Sequence, residues 1–299
     1  MFKTEKISIL KFENISPLHA GSGNALSAVD LPIQRERHTN WPHVQASALK
    51  GALRAHFRDF NEEKANFPSA RFLCNIIFGS DSQDSWDSNN NEEESLPGAI
   101  SVSDARLLAF PVRSNFAPFV RITSPAVIER LKKDLEFADY SPDITVPSVE
   151  NNKALALNWD INNQRCIIED AVVEIEGPIK IDAINNFINE KHRVLIVSDA
   201  MYDYCVSSCT EIQAQIKIDA DTGTTQDGSL RYQELLPSDS ILYALIAFGK
   251  QKYAANEFQV QTICEYFEKV FSEGSFVQIG GDETLGRGIC KISWIKGGK

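Results

Sequence analysis

The sequence predicts an α+β fold, built from ferredoxin-like units with insertions. Two observations support this fold class. Apolar periodicity indicates the order strand, helix, strands and then strands, helix, strand, which fits one or two ferredoxin-like units better than a doubly wound parallel sheet. The chain of 299 residues is 43% hydrophobic, so it can bury a sizeable core.

The first predicted elements are a strand and a helix. Residues 6–13 alternate in a strand-like pattern, and residues 48–60 are predicted to be helical with Ser47 as the N-cap. Between them, residues 14–34 contain too many Gly, Ser and Pro for a helix, and are predicted to form a loop. Three apolar residues at helical spacing should face the core: Leu49, Leu53 and Phe57.

The later elements follow from the same kinds of signal. Ser124 and Pro125 predict the cap and first residue of a helix that ends near Phe137, and residues 258–271 carry a second apolar helical pattern. Strands are predicted at residues 99–103, 107–112, 166–175, 194–198, 211–218, 230–235, 241–248, 276–279 and 289–295. Together these elements predict a single domain over residues 1–299.

Two segments are predicted to be insertions, at about residues 80–98 and 138–165. The first contains an acidic tract, residues 81–94, with six carboxylates and no basic residue, which is typical of a loop. The second is rich in turn residues and weakly periodic. Without the acidic tract the formal charge of the chain changes from −11 to −5, so much of the negative charge is local.

The charge distribution bears on possible partners. A net charge of −11 argues against a broad basic surface that wraps nucleic acid. Residues 33–58, however, carry five basic residues and one acidic residue, a local charge of +4 that favours one polyanion-binding face. Within it Lys50, Arg54 and Arg58 form a stripe at helical spacing, although a solvated helix face has the same pattern.

The chain is predicted to be cytoplasmic and to have no membrane partner. No apolar run approaches the roughly 18 residues of a membrane span, and Glu5 and Lys6 interrupt the place where a signal peptide needs its apolar stretch. The six cysteines are few and scattered, which favours buried thiols over a disulfide framework.

Candidate chemistry is concentrated in the loop that precedes the basic helix. Asp30 could hold a hard divalent cation and His19 could shuttle a proton, although an Asp before Leu-Pro is in most proteins a turn residue. A second candidate is the loop at residues 280–288, which matches neither a dinucleotide fingerprint nor a Walker A loop. Its glycines could let backbone amides approach a phosphate, with Arg287 adding charge, or could simply make a tight turn.

Five segments taken in order resemble the RAMP superfamily, the repeat-associated subunits of CRISPR effector complexes. They read PLHAGSG at 17–23, VDLPIQRE at 29–36, ASALKGALR at 46–54, TTQDGSLRYQELLP at 224–237 and GGDETLGRG at 280–288. The fourth is similar to a segment of the backbone subunit of type III-B complexes. Residues 46–48 read Ala-Ser-Ala where the family usually has Gly-Ser-Ser.

This resemblance implies a ferredoxin-like core of the RNA-recognition-motif type, with a protruding β-hairpin at about residues 210–236. It implies an antiviral subunit that binds CRISPR RNA and cuts the paired target RNA at regular intervals. Further copies of the chain and other subunits of the complex would be partners, and Mg²⁺ or Mn²⁺ a cofactor. Cutting would proceed by attack of the RNA 2′-OH, which the RNA itself supplies.

The resemblance also implies roles for individual residues. Asp30 matches the loop carboxylate on which cleavage depends and would be the metal ligand, and His19 matches a nearby loop histidine. The family commonly has two adjacent acids where this chain has Gln233 and Glu234, so Glu234 becomes a third catalytic candidate. The candidate RNA-binding residues are Lys50, Arg54, Arg58, Arg35, Arg37, Ser47, Gly281, Gly286, Arg287 and Gly288.

Three other interpretations fit parts of the sequence. The first is a scaffold subunit of the same kind that binds RNA without cutting, although the carboxylate of Asp30 argues for cutting. The second is an enzyme that binds a phosphorylated small molecule in an enclosed pocket near Gly286. The third is a guide-processing ribonuclease based on His19, for which the sequence shows no clear partner residue.

Overall fold

The structure is a computed structural model that describes residues 6–23, 29–61, 70–80, 97–161, 164–251 and 258–295. The acidic tract at 81–94, and with it most of the predicted insertion at 80–98, lies outside the described residues. Within the described residues the chain combines a large β-sheet with five α-helices, which confirms the predicted α+β class.

The described strands and helices follow one another along the chain. The strands are β1 Lys6–Asn14, β2 His43–Val44, β3 Ile100–Val102, β4 Ala105–Val112, β5 Val120–Thr123, β6 Lys153–Leu157, β7 Gln164–Ile168, β8 Ala171–Ile179, β9 Val194–Val197, β10 Glu211–Gln215, β11 Arg231–Leu235, β12 Ile241–Phe248, β13 Phe276–Gln278 and β14 Ile289–Ile295. The helices are α1 Ala46–Asn61, α2 Ala70–Phe78, α3 Pro125–Phe137, α4 Asp199–Ser208 and α5 Val260–Val270.

Twelve of the described strands form one sheet, whose main path runs β13-β14-β1-β12-β4-β5-β9-β6-β8-β7. Neighbouring strands are antiparallel except for the pairs β5–β9 and β6–β8. The strands β10 and β11 form an antiparallel hairpin that is not part of the large sheet. This hairpin lies where the sequence predicts a protruding one, at residues 210–236.

Helix α1 packs on the sheet with its apolar stripe inward, as predicted. Leu49, Leu53 and Phe57 are fully buried, and the helix contacts α2, α5, β3 and β13. The prediction that Ser47 is the N-cap is wrong, because the helix already begins at Ala46. The carboxylate of Asp104 accepts the Ala46 N–H at 2.7 Å and so caps the helix from a distant part of the chain.

Several elements differ from the sequence-based expectations. Helices α2 and α4 and the short strands β2 and β5 were not predicted. Strand β6 lies inside residues 138–165, so part of this turn-rich segment is a sheet strand between β9 and β8. Residues 166–175, predicted as one strand, form the hairpin β7–β8, because Glu169 adopts a left-handed conformation (φ 55°) at the turn.

Other expectations are confirmed. Ser124 caps α3 through the Val127 N–H, and Pro125 is its first residue. All six cysteines are free thiols, and five of them are buried. Among the described helices, none has the length and apolar character needed to span a lipid bilayer.

Candidate nucleic-acid interface and cleavage loop

The free edge of β11 holds two of the three candidate catalytic residues. The N–H of Tyr232 donates to Oδ2 of Asp30 at 2.7 Å, and the carbonyl of Glu234 lies 2.8 Å from Nδ1 of His19. Between these two contacts, Leu31 pairs with β11 through both of its backbone groups, at 3.1 and 3.0 Å. The hairpin strand therefore serves as a common support for the loop around Asp30 and the loop around His19.

This arrangement fixes the spacing of Asp30 and His19. Their anchoring groups are two residues apart on β11, and two residues of a strand span about 7 Å. Asp30 is exposed, and its second carboxylate oxygen accepts no hydrogen bond from the described residues. The Asp30 carboxylate therefore has one oxygen available to an incoming group beside the segment of β11 that holds His19.

The ring of His19 is oriented by its contact with Glu234. A carbonyl oxygen can only accept, so Nδ1 carries the proton in this contact, and Nε2 is the acceptor nitrogen of the neutral ring. The His19 residue is 9% exposed, and a Cβ at position 21 would lie 2.9 Å from Nε2. Gly21 therefore leaves space at the nitrogen that is free for proton transfer.

The loop at residues 280–288 packs directly against the His19 loop. The N–H of Gly281 donates to the His19 carbonyl at 2.9 Å, and the N–H of Gly288 donates to the Pro17 carbonyl at 2.9 Å. A Cβ on Gly280 would lie 2.4 Å from the His19 carbonyl oxygen. Gly280 thus allows the two loops to approach more closely than any other residue would permit.

These contacts change the role expected of the glycine loop. The backbone amides of Gly281 and Gly288 donate to the carbonyls of His19 and Pro17. The backbone amide of Gly286 donates to the Glu283 carbonyl, and that of Arg287 donates to the Asp282 carbonyl. The structure therefore does not offer the three glycine amides to a phosphate, and the Arg287 guanidinium, which was predicted to add charge, donates to Gln213. Nor does it support the enclosed metabolite pocket, since Gly286 is exposed and a Cβ there would meet nothing within 4 Å.

Glu234 is buried and fully hydrogen-bonded. Its carboxylate accepts bonds from Arg35 at 2.6 Å, from the Thr210 hydroxyl at 2.7 Å and from the Ile33 N–H at 3.0 Å. Burial by itself would raise the pKa of Glu234, but the bonds from Arg35 and Thr210 outweigh it and the pKa is lowered. We therefore reassign Glu234 from a catalytic candidate to a residue that holds residues 29–33, which we call the cleavage loop, against β11.

The Arg35 guanidinium is likewise occupied by contacts within the protein. Besides Glu234, its guanidinium donates to the carbonyls of Asn40 at 2.8 Å and Val206 at 2.9 Å. The neighbouring Arg37 is exposed, with no ion pair among the described residues. The turn at residues 36–40 therefore presents Arg37 outward and keeps Arg35 inside.

The basic stripe of α1 lies on a face of the helix that is partly open to solvent. Lys50 and Arg54 are half-buried, whereas Ser47 and Arg58 are exposed. Arg54 donates to Oδ1 of Asn75 at 3.2 Å. Arg58 pairs with the neighbouring Asp59. The stripe remains the strongest candidate surface for a polyanion in the described part of the chain.

Sequence reasoning missed a set of buried or half-buried amides that join the hairpin to the glycine loop. Gln233 donates to Oδ2 of Asp282 at 2.5 Å and accepts from Gln215, and Arg287 donates to Gln213. The signal that could have found them is the alternation of polar residues along 211–215, which matches the period of a strand.

The side chains around Asp30 determine how a divalent cation could be held at this site. Among the described residues, no three His, Cys, Asp or Glu side chains come together as a metal cage. Mg²⁺ is commonly held by one or two carboxylates together with substrate phosphates and water. The exposed Asp30 carboxylate fits that mode, in which the RNA supplies the remaining ligands.

Comparisons with known proteins identify the family of the chain. The RAMP superfamily model matches residues 11–291. The chain is 34% identical to the CRISPR system Cmr endoribonuclease Cmr4 of Pyrococcus furiosus, over 96% of this chain and 95% of that protein. It is 23% identical to the CRISPR system CMR subunit Cmr4 of Saccharolobus solfataricus, over 94% of each chain.

Solved structures show the same fold. The crystal structure of oligomeric Cmr4 from Pyrococcus furiosus matches with a TM-score of 0.68 and 26% identity, covering 98% of this chain and 99% of the other. A chain of the type III-B Cmr-beta complex bound to cognate target RNA, solved by cryo-electron microscopy, matches with a TM-score of 0.72 and 22% identity over 97% and 98%. Since the family model spans most of the chain and the Pyrococcus relative nearly all of it, the chain belongs to the RAMP superfamily and to the same family as the Pyrococcus furiosus Cmr4 endoribonuclease.

Proposed function

We propose that this chain is the backbone subunit of a type III-B CRISPR RNA-guided antiviral complex and that it cuts the paired target RNA. The observation that carries the proposal is the support of Asp30 and His19 by one edge of the hairpin strand β11. A chain that is 34% identical and is named an endoribonuclease supports the same activity.

The cut is a transesterification within the target RNA. The 2′-oxygen attacks the adjacent phosphorus and its proton passes to the Asp30 carboxylate, while the bond from phosphorus to the 5′-oxygen breaks. The leaving 5′-oxygen takes a proton from Nε2 of His19 when that ring is doubly protonated. The products are a 2′,3′-cyclic phosphate and a 5′-hydroxyl.

The cofactor in this proposal is Mg²⁺ or Mn²⁺. The ion would be held by Asp30 and by oxygens of the RNA. When bound, it stabilises negative charge on the phosphate. The residues of the chain bind and orient the RNA whichever of the two ions is present. Lys50 and Arg54 of α1 contact guide phosphates, and Arg37 adds an exposed cation.

The partners are CRISPR RNA, the complementary target RNA, further copies of this chain in a stack, and the other subunits of the complex. A relative with 26% identity has been crystallised as an oligomer. A stack lets several short basic stripes line up along one guide, which suits a chain with a net charge of −11. We place this activity in the cytoplasm.

The test compares complexes assembled with CRISPR RNA from the wild-type chain and from the variants Asp30→Asn and Asp30→Ala. We expect cleavage of labelled target RNA to fall at least about 100-fold, with target affinity unchanged and a cyclic phosphate on the wild-type product. The control is Asp143→Asn, at an exposed carboxylate in the connection between α3 and β6.

Two results would contradict the proposal. Loss of target binding in the Asp30 variants would assign Asp30 a structural role. A wild-type complex that binds its target without cutting it would favour the interpretation as a scaffold subunit that does not cut RNA.

A further inference from the structure

Gln34 is a buried residue between the cleavage loop and the start of α1. It is 8% exposed, and its backbone N–H donates to Ala20 at 2.7 Å, while its carbonyl accepts from the His43 N–H at 3.1 Å. The side chain repeats this bridge, because Nε2 donates to the Gly21 carbonyl at 3.1 Å and Oε1 accepts from the Gln45 N–H at 2.7 Å. One residue thus joins two segments through four hydrogen bonds.

The two bridged segments carry different parts of the proposed site. The segment at 20–21 follows His19 directly and lies against Nε2 of its ring. Gln45 directly precedes Ala46, the first residue of α1, the helix that carries the basic stripe. Gln34 itself is four residues after Asp30. The amide therefore lies where the cleavage loop, the His19 loop and the guide-binding helix meet.

The chemistry of the bridge requires a primary amide of this length. One end must donate to a carbonyl and the other must accept from an N–H, which a carboxylate cannot do at both ends. An apolar side chain would leave the Gly21 carbonyl and the Gln45 N–H without these two hydrogen-bond partners. Glutamine satisfies both groups at once.

We infer that Gln34 is a positioning residue that sets the cleavage loop relative to the guide-binding helix. The inference rests on the proposed function. The guide is held by α1 and the target is held by pairing with the guide, so the target phosphate is placed with respect to α1. Asp30 and His19 are placed with respect to β11. The Gln34 amide connects the helix that places the target phosphate with the loops that carry Asp30 and His19.

The expected consequence is a loss of rate without a loss of binding. Removing the amide leaves the basic stripe on α1 and the hydrogen bond between Asp30 and Tyr232 in place. It shifts the reacting groups relative to the phosphate, and a misplacement of about 1 Å can cost about 100-fold in rate. We therefore expect the cleavage rate to fall by roughly 10- to 100-fold.

The experiment uses complexes assembled with CRISPR RNA from wild type, Gln34→Leu and Gln34→Glu. The measured quantities are the single-turnover cleavage rate at saturating target, the target Kd and the melting temperature. Gln34→Glu keeps the acceptor for the Gln45 N–H and loses the donor to Gly21, so it should also cut slowly while retaining more stability than the Leu variant. The matched control is Gln251→Leu, since Gln251 is also buried, at 9% exposed, and its amide oxygen accepts the Phe258 N–H at 2.9 Å.

The outcomes separate this inference from the function on which it rests. Slow cutting with an unchanged Kd in both Gln34 variants, together with wild-type cutting by Gln251→Leu, would support the positioning role. Wild-type rates in both Gln34 variants would overturn it, and so would an equal loss of rate in Gln251→Leu. A Kd that weakens in proportion to the rate would make Gln34 part of RNA binding instead. If the wild-type complex does not cut at all, it is the proposed function that fails.

Discussion

The guanidinium of Arg35 lies 2.6 Å from Oε1 of Glu234, although the two residues are 199 positions apart in sequence. Both side chains are largely buried, at 16% and 9% exposed. The pair fastens the cleavage loop to β11, and Arg35 extends the connection to α4 through the Val206 carbonyl. Two residues that look from the sequence like an RNA contact and a catalytic acid are therefore partners inside the protein.

Removing one member of this pair should destabilise the protein. Glu234→Gln leaves the Arg35 guanidinium without a counter-charge, which should cost about 3 kcal/mol of unfolding free energy. Urea unfolding measures this loss. The double variant Arg35→Met with Glu234→Met should lose less than the sum of the two single variants. Full stability combined with abolished cutting in Glu234→Gln would return Glu234 to the catalytic residues.

The stability of the protein should depend on Glu13 in acid. The imidazole of His192 at 3.8 Å, and then the guanidinium of Arg121 at 3.2 Å, lower the pKa of Glu13 to about 2, against the effect of burial. Its contribution is fully present above the ordinary pKa of 4.5 and is lost as the pH falls from there toward 2. The contribution is about 3 kcal/mol at most.

The comparison is between wild type and Glu13→Gln, unfolded in urea at pH 7, 4.5 and 3. The difference in unfolding free energy should be largest at pH 7 and should shrink at each step downward. Glu150→Gln, at an exposed carboxylate, is the control and should show a small difference throughout. A Glu13 difference that grows in acid would contradict the assignment.

Two glycines of the 280–288 loop should respond differently to alanine. Both have positive φ, 88° at Gly280 and 71° at Gly286, but only Gly280 faces another backbone, with its Cβ position 2.4 Å from the His19 carbonyl. Gly286→Ala should cost about 1 kcal/mol from the left-handed conformation alone. Gly280→Ala adds a steric clash and should cost about 3 kcal/mol.

Thermal unfolding of the two alanine variants measures this contrast, and cleavage assays extend it to function. Gly280→Ala should also slow cutting, because it displaces His19. Equal melting temperatures for both variants would mean that the two loops do not pack as described.

The basic stripe on α1 should account for part of the salt dependence of guide binding. Each phosphate contact contributes about −0.7 to the slope of log K against log salt for a single strand. Lys50→Ala and Arg54→Ala should therefore each weaken guide binding and make the slope shallower by about 0.7. Filter binding at several salt concentrations gives the slope.

The control for the stripe is Lys153→Ala on β6, whose ammonium already pairs with Glu150 and Glu176. Its slope should equal that of wild type. If the slopes of the α1 variants are also unchanged, the guide does not contact this helix.

The sequence was sufficient to predict features that depend on near neighbours in the chain. The apolar stripe of α1, the Ser124 cap of α3 and the separate strands β10 and β11 all follow from residues a few positions apart, whereas the pairing of the two strands was implied by the family resemblance. Features that depend on distant residues were missed or misread. The cap of α1 comes from Asp104, 58 positions away from Ala46, and the role of Glu234 depends on Arg35.

The same limit applies to the candidate site. The loop motifs identified Asp30, His19 and the glycine loop, but no local pattern could show that the glycine amides are already bonded to the His19 loop. Nor could it show that strand β11 carries both proposed reacting groups, since that requires pairing between residues about 200 positions apart.

The shared edge of β11 has a mechanical consequence. Because Asp30 and His19 are both bonded to that strand, any tilt of the hairpin carries them along as one body. The position of the cut would then depend on the hairpin as well as on the Gln34 bridge to α1. If each copy of the chain inserts its hairpin into the RNA at a regular interval, the hairpins would set the spacing between successive cuts.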